Sequence, residues 1–312
     1  MKIGYIFPGQ GTQTVGMGKD IYEKYEEAKE TYRKIDEVLA ENIEKLTFEE
    51  SQEELNKTKN TQIAIYAMSM AILEILNRNG IKPEATAGLS LGEYSALTCA
   101  KAISLEEGAR IVRIRGTLMQ ELAPQGEWAM AAIIGLEDNK VEEACSKVEK
   151  GFVRAVNYNC PGQVVVSGEK EAVIRAMEIA KDLGARKVIE LKTSGPFHTE
   201  KLQDASKELR KELEKVTFNK CKIPVIKNFD GLAYNEDDNM VDILANHVIN
   251  PVKFRKSIET MLEMGIDTFA EVGPGKTLSG FVKKVCKEKE VDANVLNIED
   301  VESLERALEI LK

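Results

Sequence analysis

Helix-period and strand-like hydrophobic patterns alternate along most of the chain, and several short apolar strands run directly into glycine turns. Residues 127–191 also read in the order βαββαβ. Together these observations predict an α/β protein in which a small unit of ferredoxin-like order interrupts a larger α/β body. The 312 residues suffice to bury one large core or two smaller ones.

The elements follow in order. Residues 2–7, KIGYIF, form a short buried strand, and 8–18 a glycine loop. The charged stretch 19–56 is helical in pattern. Residues 60–80 open on an N-cap candidate, continue as an apolar run of strong helix formers and stop at Gly80, which predicts a buried helix. ATAGLS, 85–90, is a short strand that turns at Ser90 into the helix LGEYSALTCAKA. In the small unit WAMAAIIGL is a strand and EDNKVEEACSKVEK a helix. FVRAVNYNCPGQVVVSG holds two strands around Pro161-Gly162, and KEAVIRAMEIAKDLG and ARKVIELK add a helix and a strand. The domain division expected is therefore 1–124 with 192–312 for the body and 125–191 for the small unit. Beyond it come a helix at 200–215, the strand IPVIKN, the turn DGLAYNEDDN and further helices, with TFAEVGPG as the last core strand.

Composition narrows the function. A net charge of −9 leaves no broad basic field for nucleic acid. No run of about 18 apolar residues offers a membrane span, and the N-terminus breaks into Pro and Gly too early for a signal peptide. Five scattered cysteines, odd in number and without short spacings, argue against disulfides or a zinc site and for the reducing cytoplasm.

Ser90 lies two residues after Gly88 and two before Gly92. That spacing suits a sharp strand-to-helix turn with an exposed hydroxyl, and the following helix presents N–H groups where an oxyanion would develop. The pentapeptide alone reads more readily as a polar turn residue; the strand before it and the helix after it bring the two readings level. A nucleophilic serine needs a base, and the chain has only two histidines, His198 and His247. His198 stands in a Gly-Pro turn between a strand and a helix, where catalytic groups tend to sit; His247 precedes an Asn-Pro break. Each alone reads as a packed or capping histidine, but beside the serine turn His198 is the better base. The FPGQG loop after the first strand is a plain connection or a second source of N–H groups for an anion.

Helical phase places Arg115 between Ile111 and Leu122 on one side and Val112 and Met119 on the other, with Arg113 turned away. A guanidinium on an apolar face needs an anion, either an internal carboxylate or the carboxylate of a substrate. AEVGPGKT is not a P-loop, since Ala270 stands where the first glycine belongs, and GQGTQTVG lacks the dinucleotide spacing.

Seven ordered stretches, FPGQGTQTVGMGKD, GLSLGEYSALTCA, RIRGTLMQ, GEWAMAAIIGL, NYNCPGQVVVSG, GPFH and EVGPGKTL, closely resemble the bacterial malonyl-CoA:acyl carrier protein transacylases over nearly the whole chain. The resemblance implies a hydrolase-like α/β body with a ferredoxin-like insert. It implies Ser90 as nucleophile, His198 as base, the Gln10 and Leu91 amides as oxyanion hole and Arg115 as partner of the malonyl carboxylate. His247 falls where a main-chain carbonyl orients the base and where relatives often carry glutamine, Leu89 where they usually carry histidine, and Phe197 where phenylalanine accompanies malonyl selection. The implied partners are malonyl-CoA and acyl carrier protein, with no cofactor or metal, no nucleic acid and no membrane. Arg186, Lys187 and Lys192 are a candidate carrier surface or simply a solvated strand end. Two rivals stand beside this reading: a patatin-like hydrolase using Ser90 and Asp230, and a non-catalytic carrier-binding protein.

Overall fold

The computed structural model describes residues 1–192 and 195–312. Five parallel strands, β1 (Ile3–Phe7), β2 (Ala85–Gly88), β7 (Val225–Ile226), β8 (Thr268–Val272) and β9 (Asn294–Ile298), form one sheet in the order β7-β2-β1-β8-β9. Side chains alternate between its two faces, as the strand period requires. Tyr5 and Phe7 enter one apolar core beneath the helix Thr58–Arg78. Ile6 and Phe269 enter a second core beneath the helices Phe254–Glu263 and Thr277–Lys289. A parallel sheet covered on both faces explains why β1, β2 and β8 are buried at every residue, including Thr86, Thr268 and Glu271.

Four antiparallel strands, β3 (Trp128–Ile134), β4 (Val153–Cys160), β5 (Gln163–Glu169) and β6 (Lys187–Glu190), form a second sheet in the order β4-β5-β3-β6. The helices Asp138–Ser146 and Lys170–Asp182 complete the chain order βαββαβ. One face of this sheet packs on those helices through Ala131, Ile133, Val164 and Val166. The other sends Met130, Ala132, Val156 and Val165 into the core of the body. Main-chain bonds add to the seam: Tyr158 N–H donates to Val252 O at 2.8 Å, and Val252 N–H to Val156 O at 2.7 Å.

Several expectations need correction. The helical stretch 19–56 is broken into four pieces, of which Glu26–Leu39 is the longest. The buried helix starts at Thr58, and Asn60 is no cap; its amide donates to Glu54 instead. TFAEV is not the last core strand, because β9 follows at the sheet edge, where half-exposure and two asparagines keep it from standing out as a buried run. Arg113 does turn away from the Arg115 face, but it is held by Glu41, Lys59 O and Asn60 rather than left in solvent.

The register of the parallel sheet sets the location of the site. Phe7 pairs with Gly88, so the loop after β1 and the turn after β2 leave the sheet side by side at its carboxyl edge. Asn228 follows β7 at the same edge. Crevices at the carboxyl ends of parallel strands are where open α/β sheets bind ligands.

Candidate active site

The turn between β2 and the helix Gly92–Cys99 leaves no room for side chains at its glycines. A Cβ on Gly88 would lie 2.0 Å from Gly92 C, and one on Gly92 would lie 2.2 Å from Phe7 O. Between them Ser90 adopts φ 55°, a left-handed conformation that costs a non-glycine residue about 1–3 kcal/mol. Asn228 holds it there: its Oδ1 accepts from Ser90 N–H at 2.7 Å and its Nδ2 donates to Gly88 O at 2.5 Å.

His198 is also left-handed, at φ 60°, and its N–H donates to Val248 O. Its Nε2 lies 2.9 Å from Ser90 Oγ. Its Nδ1 lies 3.0 Å from His247 O and 3.2 Å from Asn250 O. Carbonyls only accept, so the proton sits on Nδ1 and Nε2 is free to take the serine proton. Burial, reinforced by the Arg115 charge, lowers the His198 pKa to about 4 against the pull of the two carbonyls. The ring is therefore a neutral base at pH 7.

Arg115 projects from the helix Leu105–Glu121 and is fully buried. No carboxylate pairs with it among the described residues. Nη1 donates to Gln62 Oε1 at 2.7 Å, Nη2 donates to Ser90 Oγ at 3.0 Å, and Nε is buried without a partner. The guanidinium also lies 5.5 Å from the centroid of the Tyr94 ring. Burial lowers its pKa.

Gln10 and Leu91 flank the serine, and among the described residues neither main-chain N–H meets a protein acceptor. The Gln10 side chain donates to Thr58 Oγ1. A cavity of about 70 Å³ lies over Ser90 and His198, walled by Leu89, Met119, Met130, Asn157, Leu191 and Phe197. Phe197 is 5% exposed. His247 ends the helix Met240–His247 with its ring buried and neither nitrogen bonded.

Other sequence candidates fall elsewhere. Asp230 pairs with Lys227 at 3.3 Å and accepts from Leu232 N–H, and no hydrogen bond joins it to Ser90. The helix after EVGPGKT has its N–H groups filled by Glu271, which accepts from Leu278 and Ser279. Arg186, Lys187 and Lys192 are exposed at the edge of the small sheet; Thr193 and Ser194, which open the stretch leading to His198, lie outside the described residues. All five cysteines are free. Among the described residues no group of three or more His, Cys, Asp and Glu is placed to hold a metal.

Sequence reasoning missed Gln62, Asn228, Glu93 and Tyr234. Glu93 is 1% exposed and accepts from Asn228 N–H at 3.0 Å and Tyr234 OH at 2.5 Å. Burial raises its pKa to about 7, and the two hydrogen bonds and the Arg115 charge resist this. A signal for it existed: it is the one charged residue in GEYSALTC, a helix otherwise free of charge and polar only in hydroxyls.

A serine hydroxyl on the turn after a parallel strand, within hydrogen-bond reach of a neutral imidazole, is the arrangement found in α/β proteins that handle acyl groups through a serine. The chain belongs to the acyl transferase domain family, whose model matches residues 4–307. It is 41% identical over 313 residues to the malonyl CoA-acyl carrier protein transacylase of Bacillus subtilis, covering 100% of this chain and 98% of that one. The Escherichia coli protein of the same name is 42% identical over 286 residues, 91% of this chain and 93% of that one. A crystal structure of the Clostridium perfringens transacylase superposes with a TM-score of 0.94 at 45% identity, covering 100% of this chain and 97% of that one. A malonyl-transacylase solved with its type II PKS acyl-carrier protein also scores 0.94, at 36% identity over 99% of this chain and 100% of that one.

Proposed function

We propose that the chain moves the malonyl group from malonyl-CoA to the phosphopantetheine thiol of acyl carrier protein through a malonyl-Ser90 ester, supplying fatty acid synthesis. His198 Nε2 takes the Ser90 proton as Oγ attacks the thioester carbonyl, and the Gln10 and Leu91 amides receive the oxyanion. The C–S bond breaks, and His198 returns the proton to the CoA thiolate. The carrier thiol then repeats the sequence in reverse, its sulfur attacking the ester and Ser90 recovering the proton. His247 O and Asn250 O keep the proton on Nδ1 throughout, as a carboxylate does in other triads.

The observation that carries the malonyl assignment is the free fork of Arg115. Among the described residues Nε has no partner and Nη2 donates only to the serine hydroxyl, so one edge of a buried cation meets no anion and its Nε–H and Nη2–H groups are the pair that a carboxylate would take. A malonyl carboxylate satisfies both; an acetyl group leaves them unpaired at a cost of several-fold to hundreds-fold in kcat/KM. Phe197 and Leu89 shape the apolar wall beside the acyl chain.

The same reading takes 125–191 as a ferredoxin-like insert in a hydrolase-like body formed by 1–124 and 192–312, supported by the βαββαβ order and the separate antiparallel sheet. No described helix is long and apolar enough to cross a membrane, and a cytoplasmic site of action accords with the free cysteines. The patatin-like alternative loses support because Asp230 is committed to Lys227.

Intact-protein mass after brief incubation with malonyl-CoA tests the reading. We expect one malonyl adduct, absent in Ser90→Ala and discharged by holo-acyl carrier protein. Free malonate and CoA without transfer would identify a hydrolase, and no adduct with no turnover a binding protein.

A further inference from the structure

The two halves of the dyad come from distant parts of the chain, Ser90 after β2 and His198 beyond the small sheet. Both have left-handed backbones, and neither conformation sustains itself without support from its surroundings. On the serine side the support is Asn228, which grips Ser90 N–H and Gly88 O through its side chain. On the histidine side Val248 O accepts the His198 main-chain N–H, and the carbonyls of His247 and Asn250 orient the ring through Nδ1. One buried carboxyl bonds the first support directly and stands beside the ring of His247, whose carbonyl belongs to the second. Glu93 Oε2 accepts the Asn228 main-chain N–H at 3.0 Å and stands 3.7 Å from His247 Nδ1, while Oε1 is fixed by Tyr234 OH at 2.5 Å.

Glu93 touches neither Ser90 Oγ nor the acyl cavity, so it has no direct part in the transfer chemistry proposed above. Its burial is not explained by an ion pair either, since no lysine or arginine bridges it among the described residues. A carboxyl this deep carries a desolvation cost that only its hydrogen bonds offset, so its place is set by the Asn228 and Tyr234 donors that supply them.

We propose that Glu93 is the positioning residue of the dyad, holding the serine turn through Asn228 and the His198-orienting carbonyl through His247. The inference rests on the transacylase reading. It accounts for one acid at the first turn of the elbow helix, where its Oε2 meets one support directly and the ring that carries the other. Glutamine at 93 keeps this role, because its carbonyl accepts from Asn228 and its amide donates to a Tyr234 hydroxyl turned to accept.

The test is the single-turnover rate of Ser90 malonylation by malonyl-CoA, normalised to the final fraction of enzyme acylated, with the concentration dependence measured alongside. Loss of fold lowers the final fraction; loss of positioning lowers the rate at full fraction. Glu93→Ala is expected to slow acylation by about tenfold or more with half-saturation unchanged, in line with the sensitivity of rates to small displacements, and Glu93→Gln to stay within about threefold of wild type. Tyr234→Phe, which keeps the ring, is expected to slow it about threefold and decides the matter if Glu93→Ala does not fold. Wild-type rates per acylated molecule in Glu93→Ala or Tyr234→Phe, or weaker half-saturation at an unchanged maximal rate, overturn the inference alone. Absence of an adduct on the wild type overturns the transacylase reading and the inference with it.

Discussion

The parallel and antiparallel sheets meet at one cavity but contribute different things to it. The parallel-sheet side supplies every group that can move a proton or hold a charge: Ser90 and the Gln10 and Leu91 amides from the carboxyl edge of the sheet, His198 from the segment after β6, and Arg115 from the helix Leu105–Glu121, reaching Ser90 from behind the cavity wall. The antiparallel unit supplies Met130 and Asn157, with Leu191 just past β6, and no titratable group lines the cavity from it. Strain divides the same way. Among the described residues the body holds Ser90 and His198 in left-handed backbone, besides Ala40, Lys101 and Glu290 just past helix ends, whereas 125–191 has positive φ only at glycines. Strained backbone is retained where it aims a functional side chain, and a wall needs only shape.

If that division is right, substitutions in the body alter chemistry and those in the small unit alter fit. The largest effect is expected for Ser90→Ala, which removes the adduct altogether in intact-mass analysis. His198→Ala should slow acylation by about three orders of magnitude while malonyl-CoA still binds, a drop typical of losing a general base. Gly88→Ala should fail earlier, at folding, because the new Cβ meets Gly92 main chain at 2.0 Å; soluble yield and thermal melting check this. Met130→Ala is expected to raise KM by a few-fold and leave kcat nearly unchanged, and a fall in kcat as large as that of His198→Ala would erase the contrast between the regions.

The smallest change sharpens the comparison by pH. His198 acts as a base only when neutral, and its pKa lies at about 4, below the ordinary 6.5. Acylation should therefore stay level as pH falls from 8 through 6.5 and decline only towards 4. Arg115 is one cause of the depression, so Arg115→Ala should move that decline to higher pH. Pre-steady-state acylation across pH reads both.

The legibility of the sequence follows the same line. Strand–turn–helix punctuation marks Ser90, the scarcity of histidines and a Gly-Pro junction loop single out His198 as the candidate base, and helical phase puts Arg115 on a buried face. These are local signals or simple counts. The partners of those residues were not legible, because Asn228, Gln62 and Tyr234 meet the site only through tertiary contacts between distant segments. Glu93 left a trace in its uncharged helix, but GEYSALTC does not say what its carboxyl would bind. At the fold level the fully buried β1 and β8 stood out, whereas β9, of the same five-residue length, did not: it carries two asparagines and is only half-buried.

The most direct test of the account is the rate of Ser90 acylation by malonyl-CoA and by acetyl-CoA, in wild type and in Arg115→Ala. The free fork of Arg115 predicts strong preference for malonyl in the wild type, with the variant losing about a hundredfold or more on malonyl-CoA and little on acetyl-CoA. Equal acylation of the wild type by both thioesters, or an unchanged preference in the variant, would contradict it.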